Sequence, residues 1–229
     1  MTHFQHSRGA LLWAAWLATV LCGGCDDAEE DSAAPDAGHT QLVVGGEHSA
    51  AVADAGCKTC APQCADSGRR FQALATGWGH SLAIDEYGHA FAWGTNNVGQ
   101  LGLDDTVDRD TPVQIDDQRW RMLAGGSRHS CGIREDGALF CWGTNVHGQL
   151  GTGDTMGRLT PARVGDASDW VSIACGGLHT CAVRGDGTLW CFGSNPAGLV
   201  GREMAGDYPT PQQAGSDHTW AHVTAKARF

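Results

Sequence analysis

One block of sequence is written three times in this chain, and the spacing of the copies constrains the fold more than any other feature. The middle copy runs from Trp120 through Gly125-Gly126, His129-Ser130-Cys131, Glu135-Asp136-Gly137, Phe140-Cys141-Trp142-Gly143, Thr144-Asn145 and Gly148-Gln149-Leu150-Gly151 to Thr160-Pro161. The copy from Trp170 repeats it with His179-Thr180-Cys181, Gly185-Asp186-Gly187, Trp190-Cys191-Phe192-Gly193, Ser194-Asn195, Gly201 and Thr210-Pro211. An earlier copy from Phe71 carries His80-Ser81, Gly88, Trp93-Gly94, Thr95-Asn96, Gly99-Gln100-Leu101-Gly102 and Thr111-Pro112. The histidines at 80, 129 and 179 stand 49 and 50 residues apart. A fixed period of that length means an array of supersecondary units, each needing its neighbours to bury its apolar face.

Within a copy the local signals are all β. Trp170-Val-Ser-Ile-Ala174 is short, aromatic and β-branched, and a glycine pair closes the corresponding run at Gly125-Gly126. His179–Arg184 and Thr188–Phe192 then flank Gly185-Asp186-Gly187, which reads as a hairpin whose last loop residue is left-handed, a conformation glycine takes without penalty. Thr-Pro opens a fourth run such as Thr160–Val164, where proline suits a strand start or an edge. Four short strands in each repeat make one propeller blade, so the expected fold is all-β, a β-propeller of four-stranded blades.

The cysteines test that hairpin independently. With Glu135–Gly137 as the loop, Arg134 closes on Ala138, and stepping outward pairs Ile133 with Leu139, Gly132 with Phe140 and Cys131 with Cys141. The same count from Arg184–Thr188 brings Cys181 opposite Cys191. Both pairs fall at a non-hydrogen-bonded site, where the Cα atoms are close enough for a disulfide. Free buried thiols are the alternative in a reducing compartment.

The N-terminus bears on the compartment. Arg8 precedes an apolar run, Ala10–Leu21, which is short for a membrane span and has the length of a signal-peptide core. The following Cys22-Gly-Gly-Cys25 resembles a bacterial lipoprotein signal, with Cys25 as the residue lipidated after cleavage. An ordinary cleaved signal and an uncleaved anchor are the alternatives. Either cleaved form places the body outside the cytosol, in a bacterial cell envelope, where disulfides persist. Residues 26–38 are acidic and lack large apolar side chains, so they cannot bury enough surface to fold and are expected to act as a tether.

The expected layout is therefore a leader at 1–25, the tether at 26–38, a degenerate cysteine-rich first blade at 39–70, and repeats at 71–119, 120–169 and 170–219. A lone strand at 220–229 follows, because Trp220-Ala-His-Val-Thr224 aligns with Trp170–Ala174. In the degenerate blade His48 occupies the repeat histidine position, but Cys57-x2-Cys60-x3-Cys64 stands where the Trp-Gly and Gly-Gln-Leu-Gly segments belong. Cys57, Cys60, Cys64 and Cys175 are an even set whose pairing the spacing leaves open. An incomplete arc exposes strand edges, so self-association is expected if residues 1–229 are the whole molecule.

The ordered combination Gly-Gly-x-His-[Ser/Thr]-Cys, Asp-Gly, Cys-Trp-Gly-x-Asn and Gly-Gln-Leu-Gly resembles the regulator of chromosome condensation repeat, in an exported, cysteine-bearing variety. The resemblance implies a propeller in a family that includes a nucleotide-exchange factor for a small GTPase and secreted propellers that block enzymes. In the third copy Gly198-Leu-Val-Gly201 departs from the motif, and Leu82 and Ala92 replace the cysteine pair in the first.

A formal charge of −11 disfavours nucleic acid, since neutralising phosphates requires clustered Lys and Arg. His48, His80, His129 and His179 recur once per blade, which points to a structural role rather than a metal set; no metal or other cofactor is expected. No nucleophile, carboxylate pair or nucleotide loop stands apart from the repeat, so no catalytic residue is assigned. The expected function is a non-enzymatic module at the cell envelope, held to the membrane only by its N-terminal lipid. It would present loop tips after each repeat asparagine (Asn97-Val98, Val146-His147, Leu103–Asp110) to a protein or glycan partner. An envelope enzyme or enzyme inhibitor on the same scaffold is the alternative, and nucleotide exchange rests on family resemblance only.

Overall fold

The computed structural model describes residues 69–196 and 198–225. The leader with Cys22 and Cys25, the tether, and all of the degenerate blade up to residue 68, including His48, Cys57, Cys60 and Cys64, lie outside the described residues. The described part contains eleven strands and no helix. They are β1 Phe71–Thr76, β2 His80–Asp85, β3 His89–Gly94, β4 Arg109–Gly125, β5 His129–Arg134, β6 Leu139–Gly143, β7 Arg158–Arg163, β8 Trp170–Cys175, β9 His179–Arg184, β10 Leu189–Asn195 and β11 Gly206–Gln213. Every neighbouring pair is antiparallel.

These strands form three four-stranded units. β8–β11 make a separate sheet, whereas β1–β7 are continuous because β4 belongs to two blades. Its first part pairs with β3, ending at His89↔Arg119, and its second part, Trp120–Gly125, pairs with β5. The corresponding connection between the second and third blades is interrupted, with β7 ending at Arg163 and β8 starting at Trp170. The reason is local: Pro161 to Trp170 is one residue longer than Pro112 to Trp120, and the extra stretch contains Gly165 with φ of 59°. A φ of that value turns the chain out of the extended conformation there.

The hairpin between the second and third strands of each blade follows the turn chemistry. Gly88, Gly137 and Gly187 have φ of 85°, 81° and 79°. Arg134 N–H donates to Ala138 O, and the ladder continues through Ile133↔Leu139 and Gly132↔Phe140 to Cys131↔Cys141. Cys131 and Cys141 form a disulfide with Cα atoms 4.0 Å apart, and Cys181–Cys191 is bonded likewise at 4.1 Å. In the first blade Leu82 pairs with Ala92 at that position. Thr111-Pro112, Thr160-Pro161 and Thr210-Pro211 fall inside β4, β7 and β11 rather than at their starts; each proline lies in the outermost strand of its blade, where a missing N–H costs least.

One expectation is corrected. Residues 220–225 form no strand. Trp220 N–H donates to Gly187 O, and Val223 N–H and His222 Nδ1 meet Ser172 Oγ, so the segment lies against the third blade. It has no ladder partner among the described residues, and a lone run cannot satisfy its backbone groups as a strand.

Blades join through repeat-locked side chains. The last glycine of Gly-Gln-Leu-Gly explains itself here: a Cβ on Gly102 would lie 2.9 Å from the Trp142 indole of the next blade, and one on Gly151 would lie 2.7 Å from the Phe192 ring. The buried asparagines order the long loop after the third strand. Asn96, Asn145 and Asn195 each accept from a backbone N–H five residues on (Leu101, Leu150, Val200) and donate to carbonyls further along the same loop.

Candidate functional site at the first blade seam

The strand alternation fixes which loops share an end. The β1–β2 and β3–β4 loops emerge at one end of a blade, and the β2–β3 hairpin emerges at the other. At the first end, the seam between the first two blades holds an open pocket of about 370 Å³ lined by Trp78, Gly79, Thr95, Asn97, Gln100, Ser127 and Arg128.

Its frame is built from backbone. Trp78 N–H donates to Gly126 O across the seam (3.1 Å), and Thr95 N–H donates to Gly79 O (2.7 Å). Gln100 Oε1 accepts from Val98 N–H, which leaves its amide facing Asn97 Oδ1 at 3.4 Å. On that frame stand two groups of different character. The Trp78 side chain is 49% exposed. Arg128 is exposed and forms no ion pair among the described residues, whereas Arg69, Arg109, Arg134, Arg158 and Arg184 each meet an aspartate.

Beneath the pocket the seam is a closed polar relay. Ser130 Oγ–H donates to Gln100 O (2.8 Å), which also accepts from Trp142 Nε1–H (3.0 Å). The serine proton being spent, His80 must donate its Nε2–H to Ser130 Oγ, 2.8 Å away. The next seam repeats this: Thr180 Oγ1–H donates to Gln149 O, and His129 Nε2–H donates to Thr180 Oγ1. Nδ1 of both histidines is buried without a partner among the described residues. A second ring proton would therefore point at nothing, and burial pulls His80 down to about 4; burial, reinforced by His80 and His179, pulls His129 to about 3. These histidines are neutral seam donors.

The remaining sequence candidates separate in the same way. His147 pairs with Asp207 of the third blade's β11 (3.0 Å), whereas the Leu103–Asp110 loop is tied within itself by Asp105–Arg109 and to the asparagine by Asp108 accepting from Asn96 N–H, so these loop tips are already engaged. Only Asn97 among those tips reaches the pocket. Asp136 and Asp186 accept from the backbone of their own turns. Cys175 is a free, buried thiol whose pKa burial raises to about 12. Ligand atoms of His129, Cys131 and Cys175 lie within 4.8 Å of one another, but the Cys131 sulfur is committed to Cys141 and is no thiolate donor.

Trp78 and Arg128 escaped the sequence reading because they are where the repeats differ. In the Gly-x-x-His columns the chain has Trp78-Gly79, Ser127-Arg128 and Gly177-Leu178 between the same glycine and histidine. Variation inside an otherwise fixed frame was the available signal.

Three antiparallel four-stranded units sharing one set of seam contacts define a β-propeller repeat protein. Models of the regulator of chromosome condensation (RCC1) repeat match residues 87–133 and 136–183, and a second model of that repeat matches 71–100 and 170–198. The chain belongs to the RCC1 repeat family. It is 39% identical over 57 residues to Ras guanine nucleotide exchange factor C of Dictyostelium discoideum, covering 25% of this chain and 4% of that protein. Among solved structures it is similar to yeast RCC1 (Prp20), seen bound to Kap60, with TM-score 0.61, 27% identity and coverage of 70% and 41%. It also resembles human WBSCR16, with TM-score 0.63, 22% identity and coverage of 70% and 44%. The chain thus spans less than half the length of each.

Proposed function

We propose that this chain is a non-enzymatic binding module of the cell envelope, lipid-anchored through Cys25, whose partner docks on the loop end at the first blade seam. The reading is carried by one observation: the repeat-locked polar groups are consumed in seams and turns, while an exposed Trp78 and Arg128, which forms no ion pair among the described residues, line one pocket at positions where the repeats differ. Exposed tryptophan and arginine are the side chains that dominate binding energetics. Yeast RCC1 (Prp20), to which this chain is similar, was solved bound to another protein, Kap60. The test is retention of envelope components by the immobilised full chain, compared with a Trp78→Ala/Arg128→Glu variant. A defined component held by the parent and lost from the variant is the expected result. Equal retention by both overturns the docking end, and failure of the full chain to incorporate labelled fatty acid in a Cys25-dependent way overturns the anchor.

Nucleotide exchange is the second reading, drawn from the likeness to Ras guanine nucleotide exchange factor C. Release of labelled GDP from a small GTPase, accelerated by this chain, would favour it.

A further inference from the structure

We infer that the Trp78–Arg128 pocket binds a carboxylate-bearing sugar unit, such as a uronic acid within a polysaccharide. The inference rests on the reading of this end as the binding end, and it names the chemistry of what binds there.

The lining decides the class. Besides Trp78, the side chains at the pocket are Thr95, Asn97, Gln100, Ser127 and Arg128, with Gly79 adding none. None of the described residues that line it is aliphatic. A protein partner's anchor is an apolar or aromatic group that needs a desolvated, apolar socket. This pocket offers one flat indole and a circle of hydrogen-bonding groups. A pyranose presents that complement: a C–H face that lies on an aromatic ring and hydroxyl edges that seek donors and acceptors. The volume of about 370 Å³ sits at the lower end of the range of about 300–1,000 Å³ for small-molecule sites.

Arg128 selects the charged sugar. Its guanidinium is exposed and meets no carboxylate among the described residues, and none of the described residues that line the pocket is acidic. A planar fork of N–H donors matches a carboxylate in two-point fashion. On the β3–β4 loop Asp105 is held by Arg109, and Asp108 accepts from the Asn96 backbone N–H. The Arg128 charge is therefore available to an incoming anion.

The frame keeps these groups in place. Trp78 N–H holds to Gly126 O, the Gly79 carbonyl to Thr95 N–H, and the Arg128 carbonyl to Thr144 N–H (2.9 Å), so both loops are pinned at the residues that carry the site. Thr95 and Gln100 belong to the β3–β4 connection of the same blade as Trp78, so a hydroxyl and an amide share the pocket with the indole, and Ser127 and Arg128 close it from the second blade.

The test uses the full chain with D-glucuronate, its neutral parent D-glucose, and the blocked peptide acetyl-Gly-Asp-Gly-amide, followed by calorimetry and by the Trp78 indole N–H resonance. Saturable glucuronate binding that moves the Trp78 resonance is expected, with glucose weaker by roughly tenfold for loss of the charged fork. Arg128→Gln is expected to reduce glucuronate to the level of glucose, and Trp78→Ala to remove both, with an unchanged far-ultraviolet spectrum establishing that each variant folds. Absence of glucuronate binding, peptide binding as tight as glucuronate, or binding indifferent to both substitutions overturns the inference. If sugars fail while a protein component is still retained in a Trp78-dependent way, the binding end stands and the sugar falls.

Discussion

The Nε2–H of His129 donates to Thr180 Oγ1 across 2.9 Å, joining the second strands of two blades from positions 51 residues apart. The same hydroxyl then donates to Gln149 O, so one threonine ties a histidine of its neighbour to the Gly-Gln-Leu-Gly loop of that neighbour.

Replacing Thr180 by valine keeps the shape and removes both bonds. It leaves a buried His129 N–H and a buried Gln149 carbonyl unsatisfied, and a cost of about 1–3 kcal/mol per unpaired group is expected. Urea unfolding of the two proteins measures it; an unchanged midpoint would show that the relay is incidental.

Stability is expected to depend on pH through His80 and His129. Both are held below the ordinary histidine value, at about 4 and about 3, so the unfolded chain takes up protons that the native one refuses. Their contribution is complete above about pH 6.5 and declines as pH falls toward 4, by about 1.4 kcal/mol per unit for each histidine. Asp105, Asp154 and Asp186 are held below 3.8 by hydrogen bonds and titrate beneath this window. Unfolding free energies measured at several pH values between 7.5 and 4.5 check it, and a flat profile contradicts the neutral-donor assignment.

Trp120 and Trp170 occupy equivalent buried positions, yet only one indole is partnered. Trp120 Nε1–H donates to Asp116 Oδ1 (2.8 Å), and Arg134 meets the other oxygen of Asp116. The Trp170 indole N–H has no partner among the described residues, and Arg184 is held by Asp169 instead. Trp120→Phe is therefore expected to cost about 1–3 kcal/mol more than Trp170→Phe, the packing loss being similar in both. Equal costs in thermal melts would refute the difference.

Peptide mapping without reduction is expected to link Cys131 to Cys141 and Cys181 to Cys191. Each closes a loop of sequence separation 10, and its removal is expected to cost about 3 kcal/mol. Cys175, buried and with its thiol pushed up to about 12, should resist alkylation until the protein is unfolded. A native chain that joins Cys131 to Cys175 would reverse this assignment.

The hairpins were legible in sequence because a strand's period of two, counted from a turn glycine, leaves one register; Cys131 opposite Cys141 follows from Gly137 alone. The continuity of β4 was not, since it depends on the absence of one residue between Pro112 and Trp120. Neither was the pocket: Trp78, Asn97 and Arg128 come from three loops of two repeats, and only the seam brings them together. Loop tips chosen for exposure, such as Val146-His147, proved to be engaged, His147 with Asp207 of the next blade, because proximity to a turn says nothing about where a side chain finds its partner.

Because β4 crosses from one sheet to the next without a break, the first two blades share a rigid spar, while the next pair is joined through the glycine at 165. A jaw whose two sides hang from one beam cannot widen or narrow independently of that beam. The cleft carrying Trp78 and Arg128 thus opens between two blades that a single strand yokes together.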